Sequence, residues 1–306
     1  MRKFLLKFSI FLLIVLAVMA GMEYYVRCVD NSPLRHRSDY FFEHAGELDG
    51  IIYGPSLTAR AINPEWLSPS TANLAMAGGA INVDYKVFLK SLEHAEPKFV
   101  IFDLTLAYLE RRNDATYENL RRLPYYYGIW NEKAQLKDLF LARAPFADHF
   151  LNRPREADYN KYGFEASIPD ECDNIAKIKR QIENKHFQLI AKKRAGRRLA
   201  LNDANYHENV AMLEELVTTC RERNITLIFY EPPKYCEAVN VAPPVHYYRR
   251  SAFLDRVVDN KTVHWWDLSD FQNEELDHFL NLIHVNIRGA ELVTEEIDRR
   301  LEEMGY

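Results

Sequence analysis

Cysteine is scarce in this chain, and the four that occur (Cys28, Cys172, Cys220 and Cys236) are too scattered for a disulfide framework or a zinc site. No CxxC pair is present. Single buried thiols are the commoner outcome for such spacing; a Cys220–Cys236 bridge is the alternative in an oxidising compartment. An excess of positive charge is also missing. The 39 basic and 44 acidic residues leave a formal net charge of -5, which gives no case for a nucleic-acid partner. The one basic cluster, Lys192-Lys193-Arg194 with Arg197-Arg198, reads as a solvated helix face, with polyanion or headgroup binding as the minority reading. Internal repeats and low-complexity tracts are absent. What remains, 306 residues that are 48% hydrophobic and 27% charged, is neither a disordered chain nor a wholly membrane-embedded one.

Charge is absent from one stretch near the start. After a short basic head, Met1–Lys7, the run from Phe8 to Met22 (FSIFLLIVLAVMAGM) carries none. A spanning helix usually needs about 20 apolar residues. Phe4–Leu6 on one side and Tyr24-Tyr25-Val26 on the other supply the difference, and the tyrosines suit an interfacial belt. The rival is a cleaved signal peptide with Val18-Met19-Ala20 as its small-residue site. The uncleaved anchor is preferred for residues 1–26. Either way the remainder is expected outside the cytosol, a single-pass membrane protein with an extracytoplasmic C-terminal domain.

Residues 27–48 are polar and irregular, expected as a stalk or a first packing segment, and the domain proper is expected from 49 to 306. Short apolar runs follow at Gly50–Tyr53, Ala72–Met76, Lys98–Leu104, Ile225–Tyr230 and Thr262–Leu268. They are continuous rather than alternating, as in strands of a parallel sheet covered on both faces. Apolar stripes at helical spacing occupy Tyr206–Arg223 and Arg288–Met304. Strand–helix alternation of this kind predicts an α/β fold with an open, doubly wound parallel sheet. The stretch from about 106 to 201 is too long for one crossover. It is expected to be a helical insertion over the sheet, containing the aromatic run Pro124–Trp130.

Three places carry residues suited to chemistry. Tyr53-Gly54-Pro55-Ser56 follows the first strand, where a serine hydroxyl is exposed at the carboxyl edge of the sheet; the same residues are also ordinary turn formers. Asn281-Leu-Ile-His284-Val-Asn286 opens the last helix, and a neutral imidazole there can take a proton from a hydroxyl. The bland alternative is a histidine that packs at a helix start. Asn73-Leu-Ala-Met-Ala-Gly78-Gly79 follows the second strand, where paired glycines let backbone N–H groups approach a bound oxygen.

The order serine, glycines, histidine resembles the SGNH hydrolase superfamily, the GDSL-like esterases, and within it the membrane-anchored SGNH-like proteins associated with bacterial surface polysaccharides. The matching stretches are IIYGPSLTARAINPEWL, ANLAMAGGAINVDYKVFL, KFVIFDLTLAYL and HVNIRGAELVTEEI. The resemblance implies a three-layer α/β/α, flavodoxin-like sheet with one N-terminal transmembrane helix. It implies Ser56 as nucleophile and His284 as base, with the N–H groups of Ser56 and of Gly78 or Gly79 in an oxyanion hole, and no metal or cofactor. Three positions depart from the family pattern. Asn281 stands where an aspartate usually orients the histidine, so Asp277 is the nearby carboxylate that could substitute. Pro55 precedes the serine in place of Ser or Asp, and Asp103-Leu104-Thr105 replaces the asparagine-bearing third block.

The function implied is an extracytoplasmic O-acyl (O-acetyl) esterase or transferase acting on a cell-envelope polysaccharide through a serine acyl-enzyme, with the glycan or an acyl-donor protein as partner. The alternatives are a catalytically impaired relative that binds polysaccharide or scaffolds its assembly, and a purely structural partner for a membrane acyltransferase. Full-length protein is expected to fractionate with membranes. Recovery of a soluble mature chain beginning near Gly21 would show a cleaved signal peptide instead.

Overall fold

Five parallel strands carry the fold: β1 (Gly50–Tyr53), β2 (Thr71–Asn73), β3 (Phe99–Asp103), β4 (Thr226–Glu231) and β5 (Val263–Asp267). They lie in the order β2-β1-β3-β4-β5, all parallel, the doubly wound arrangement with its switch point between β1 and β3. The computed structural model describes residues 1–30, 32–106, 108–113, 118–130, 136–140, 159–165, 179–180, 183, 200–236 and 243–306.

Alternate residues of each inner strand feed two separate cores. Ile51, Val100, Phe102, Leu227 and Phe229 point to one face, where α4 (Ile81–Ser91), α6 (Asp203–Arg223) and α7 (Pro244–Val257) cover them. Ile52, Phe99, Ile101, Ile228 and Tyr230 point to the other, against α3 (Ser56–Ala61) and α8 (Ile287–Glu303). This is a three-layer α/β/α sandwich, and both-face burial explains why the strands read as unbroken apolar runs. The α8 stripe Ala290, Val293, Ile297 and Leu301 is wholly buried. Between β5 and α8 lies a small antiparallel hairpin, β6 (Phe279–Asn281) and β7 (His284–Val285).

The N-terminal helix α1 runs from Arg2 to Val29, 28 residues. At 1.5 Å per residue it is about 42 Å long, against about 30 Å for a bilayer's hydrocarbon core. Phe4, Phe11, Leu13 and Ile14 among its side chains are exposed. By length and composition this helix can cross a membrane, and a signal sequence meets the same description. Its far end is tied to the domain. Arg35 donates to the carbonyls of Arg27 at 2.9 Å and Asp30 at 2.7 Å, the Tyr126 hydroxyl donates to Asp30, and the Arg27 guanidinium sits 4.8 Å from the Tyr125 ring centroid.

Of the two expectations for 27–48, a stalk or a first packing segment, α2 (Pro33–His44) fits the second. Ser32 caps this helix by accepting from the Arg35 N–H at 3.3 Å, Pro33 fixes its first turn, and Leu34 and Phe41 are buried in the same core as α4 and α6. Part of the polar look of the segment belongs to its outer face, with Asp39 and Glu43, and part to the buried Arg37 and Ser38. The 106–201 insertion lies largely outside the described residues, as do Cys172, the basic run 192–198 and the helix expected over 170–190. Within its described parts, Leu123, Tyr127 and Ile129, on or just after α5 (Glu118–Tyr126), join the core under α2, and Phe164 joins the core under α8. Cys220 and Cys236 are free thiols, so no bridge joins them.

Candidate active site

The nucleophile candidate sits where β1 leaves the sheet at the switch point. Gly54 has φ +156, and a Cβ there would lie 2.6 Å from Asp103 Cβ and 2.9 Å from Thr58 Oγ1. Only glycine lets the chain turn past the end of β3 at this point. Ser56 is the first residue of α3, and the first intrahelical bond runs from the Ala59 N–H to the Pro55 carbonyl at 3.0 Å. The N–H groups of Ser56, Leu57 and Thr58 therefore have no partner within the helix.

Two side chains hold this turn from below. Asp103, buried at the end of β3, accepts from Thr58 Oγ1 and from the Thr105 N–H at 2.7 Å. Burial raises its carboxyl above the usual range, opposed by these donors. In place of the third-block asparagine, Asp103 thus serves as a tether between β3 and the first turn of α3. Asn73 donates to the Ile62 carbonyl at 2.9 Å and accepts from the Ala75 N–H at 3.0 Å, joining the end of α3 to the loop after β2.

His284 arrives from the other end of the chain. Its Nε2 lies 2.9 Å from Ser56 Oγ, and its Nδ1 lies 3.2 Å from Asn281 Oδ1. Asn281 Oδ1 also accepts the backbone N–H groups of Ile283 at 3.0 Å and His284 at 3.1 Å. Two backbone donors can only face an oxygen, so the amide orientation is fixed and Nδ1 must carry the proton. Nε2 then presents its lone pair to the serine hydroxyl. Both Ser56 and His284 are half-buried.

The residues after His284 explain the rest of that motif. Asn286 caps α8 by accepting the Gly289 N–H at 3.0 Å and donates to the Asp277 carbonyl at 2.6 Å. Gly289 passes so close to the His278 carbonyl that a Cβ would sit 2.2 Å from its oxygen. Thr294 Oγ1 donates to the Ala61 carbonyl and accepts from the Asn63 N–H, both at 3.2 Å, which docks α8 on the helix that bears Ser56. Asp277 does not take the place of the usual aspartate. Its carboxylate pairs with Arg288 at 2.7 Å, and Asn281 occupies Nδ1.

The glycine loop lies beside the serine turn because the Met76 N–H donates to the Gly54 carbonyl at 2.8 Å. Of the two glycines expected to offer donors, Gly79 spends its N–H on the Met76 carbonyl at 2.9 Å. Gly78 takes a left-handed backbone, φ +84. Residues that sequence reasoning missed hold this loop. The Asn113 side-chain amide donates to the Gly78 carbonyl, and Asn113 exchanges two further bonds of 3.1 Å with the Asn82 side chain. Asp84 Oδ1 would lie 3.1 Å from a Cβ on Gly79, and Asp84 Oδ2 accepts from the Tyr108 hydroxyl at 2.6 Å. Burial pushes the Asp84 carboxyl up to about 8, opposed by the tyrosine bond. Asn113 lies in a stretch with no local pattern, so only its contacts reveal it. Asp84 looks like an ordinary first-turn helix acid.

No family model matches this chain, and no curated protein does. Solved structures similar to it include a Bacteroides fragilis protein described as an acylhydrolase, with 8% identity, TM-score 0.43, covering 87% of this chain and 96% of that one. A lipase/acylhydrolase from Enterococcus faecalis shows 13% identity, TM-score 0.41, covering 84% and 97%. A Streptococcus pneumoniae structure described as a platelet activating factor shows 8% identity, TM-score 0.42, covering 96% and 99%. Overlaps of this depth leave the fold to be read from the sheet topology and the chemistry from the site.

The raised Asp84 carboxyl has a consequence for stability. In the unfolded chain it ionises near 3.9, in the folded protein near 8, so rising pH strips the proton from the unfolded state first. Asp84 therefore contributes stability that is complete below about pH 4 and lost as pH rises to about 8. Asp84→Asn keeps an acceptor for Tyr108 and removes this dependence. Denaturant unfolding of both proteins at about pH 5 and about pH 9 should show the variant gaining on the wild type at the higher pH. Parallel pH profiles would contradict a proton-holding Asp84.

Proposed function

We propose that this chain is a serine esterase or acyltransferase of the SGNH type, held at the membrane by α1, acting on O-acyl groups, foremost O-acetyl, of a cell-envelope polysaccharide outside the cytosol. The observation that carries the proposal is the aligned chain Ser56 Oγ, His284 Nε2, His284 Nδ1, Asn281 Oδ1, with links of 2.9 and 3.2 Å. A serine hydroxyl is too weak a nucleophile at neutral pH to act unaided, and a neutral imidazole at this distance supplies the missing base.

In this reading Ser56 Oγ attacks the ester carbonyl carbon while its proton passes to His284 Nε2. The carbonyl oxygen gains negative charge facing the N–H groups of Ser56 and Gly78. Collapse expels the alkoxide of the ester attacked, the glycan's in hydrolysis and the acyl donor's in transfer, which takes the proton from Nε2, and the acyl group stays on Ser56. Water or an acceptor hydroxyl, deprotonated by the same Nε2, then attacks the acyl-enzyme and restores Ser56. Whether water or a glycan hydroxyl enters decides between hydrolysis and transfer. An N-terminal segment with a short basic head before one apolar run, and the resemblance of the motifs to surface-polysaccharide proteins, support the location and the glycan substrate. An acyl-donor protein in the same membrane would supply the group for transfer.

Asn281 supports a second reading. Its neutral amide fixes the tautomer but supplies no charge of its own to an imidazolium, and the nearby Asp277 is committed to Arg288. A member of this fold with so weakened a base serves as a binding or scaffolding protein for the same polysaccharide.

The two readings separate in one set of variants. Full-length protein in detergent is expected to hydrolyse a simple aryl acetate slowly, and Ser56→Ala should abolish this. Asn281→Asp should raise kcat at least about tenfold, toward the roughly ten-thousand-fold that the reverse change costs in serine proteases. Hydrolysis that survives Ser56→Ala and ignores Asn281→Asp would leave the binding reading in its place.

A further inference from the structure

Arg37 is buried in the middle of α2, 6% exposed, and its partners are all backbone carbonyls. Its Nη2 donates to the Ala59 carbonyl at 3.2 Å and the Gly163 carbonyl at 3.0 Å, and its Nη1 donates to the Ala75 carbonyl. Among the described residues it forms no ion pair, and its Nε has no hydrogen-bond partner. Burying a guanidinium without a carboxylate partner is costly, and an apolar side chain at this position would avoid that cost. Burial lowers Arg37 only to about 10, so it stays a cation at neutral pH.

The three carbonyls belong to three different pieces of the site's surroundings. Ala59 is one turn beyond Ser56 on α3. Ala75 opens the loop that delivers Gly78. Gly163 belongs to a described turn of the long insertion. Its φ is +72, and a Cβ there would lie 2.6 Å from Arg37 Cγ, so the turn closes tightly over the arginine. A planar guanidinium with five donors can hold three divergent carbonyls at once; an ammonium on a flexible stem cannot.

We infer that Arg37 is a positioning residue for the reaction, a clamp from the helix next to the membrane anchor that sets the distance between the serine helix and the glycine loop. This rests on the esterase reading for its catalytic consequence, while the clamp itself rests on the three bonds. Arg37 touches no reacting atom. It acts through Ala59 on the serine hydroxyl and through Ala75 on the Gly78 N–H, the two groups that must straddle one carbonyl carbon.

The test compares full-length wild type with Arg37→Lys by hydrogen exchange and by aryl acetate kinetics. Exchange in residues 56–61 and 74–80 should quicken together by about tenfold or more, while β3 and β4 keep the wild-type rate. Turnover should fall roughly tenfold to a hundredfold in kcat with KM nearly unchanged, because the misplacement is felt when the oxyanion forms. Gly163→Ala, which presses on Arg37 from the insertion side, should give the same pattern and replaces Arg37→Lys if that variant does not fold. Unchanged exchange in the two segments, a uniform rise that includes β3 and β4, or an unchanged kcat would each overturn the proposal. A wild type with no Ser56-dependent turnover would sink the esterase reading instead, and the exchange comparison would still decide the clamp.

Discussion

The hydrogen bond between Ser56 Oγ and His284 Nε2, 2.9 Å long, joins residues 228 apart in sequence, and the rest of the structure is arranged so that it can form. Ser56 is placed by the switch point, where β1 leaves the sheet between its neighbours β2 and β3. His284 is placed by a hairpin and a helix start that come after the last strand. The two regions meet where α8 packs on α3, through Thr294 and the apolar stripe from Ala290 to Leu301, and where β7 itself lies against α3.

Asn281 shows how a neutral residue can do half of a charged residue's work. Its oxygen accepts three donors within its own hairpin, which sets the imidazole's tautomer and orientation as firmly as a carboxylate would. It adds nothing against the positive charge that develops on His284 when Ser56 loses its proton. In the proposed reaction this makes Asn281 an organiser of the base rather than a strengthener of it, so the steps that feel its neutrality are the deprotonation of Ser56 in the first half and of the entering water in the second.

Much of this was legible in the sequence where burial on both faces imposed an apolar run. Gly50–Tyr53 matched its strand residue for residue, and the runs for β3, β4 and β5 differ from their strands by one residue at each end. The second strand starts one residue before its run and ends at Asn73, although the Leu74 and Met76 N–H groups still reach the carbonyls of Ile52 and Gly54. Order along the chain was enough to suggest that Ser56 and His284 meet. It could not show that Asp277 is paired with Arg288 or that the Gly79 N–H is used up within its own turn, because both depend on contacts a few ångströms long. Least legible was α2. A helix written PLRHRSDYFFEH looks solvated, and nothing local says that its arginine is swallowed by three carbonyls.

The central claim is that Ser56 forms an acyl-enzyme. Brief exposure of the full-length protein to an aryl acetate, an acid quench and mass analysis of the digested chain tests it directly. An aryloxide leaves without needing a proton, so acetylation should outrun deacetylation at a site with Asn281 behind the histidine. The account predicts an acetyl group on the peptide that carries Ser56, absent in Ser56→Ala. An unmodified Ser56 peptide, or acetyl groups spread over lysines alone, would contradict it.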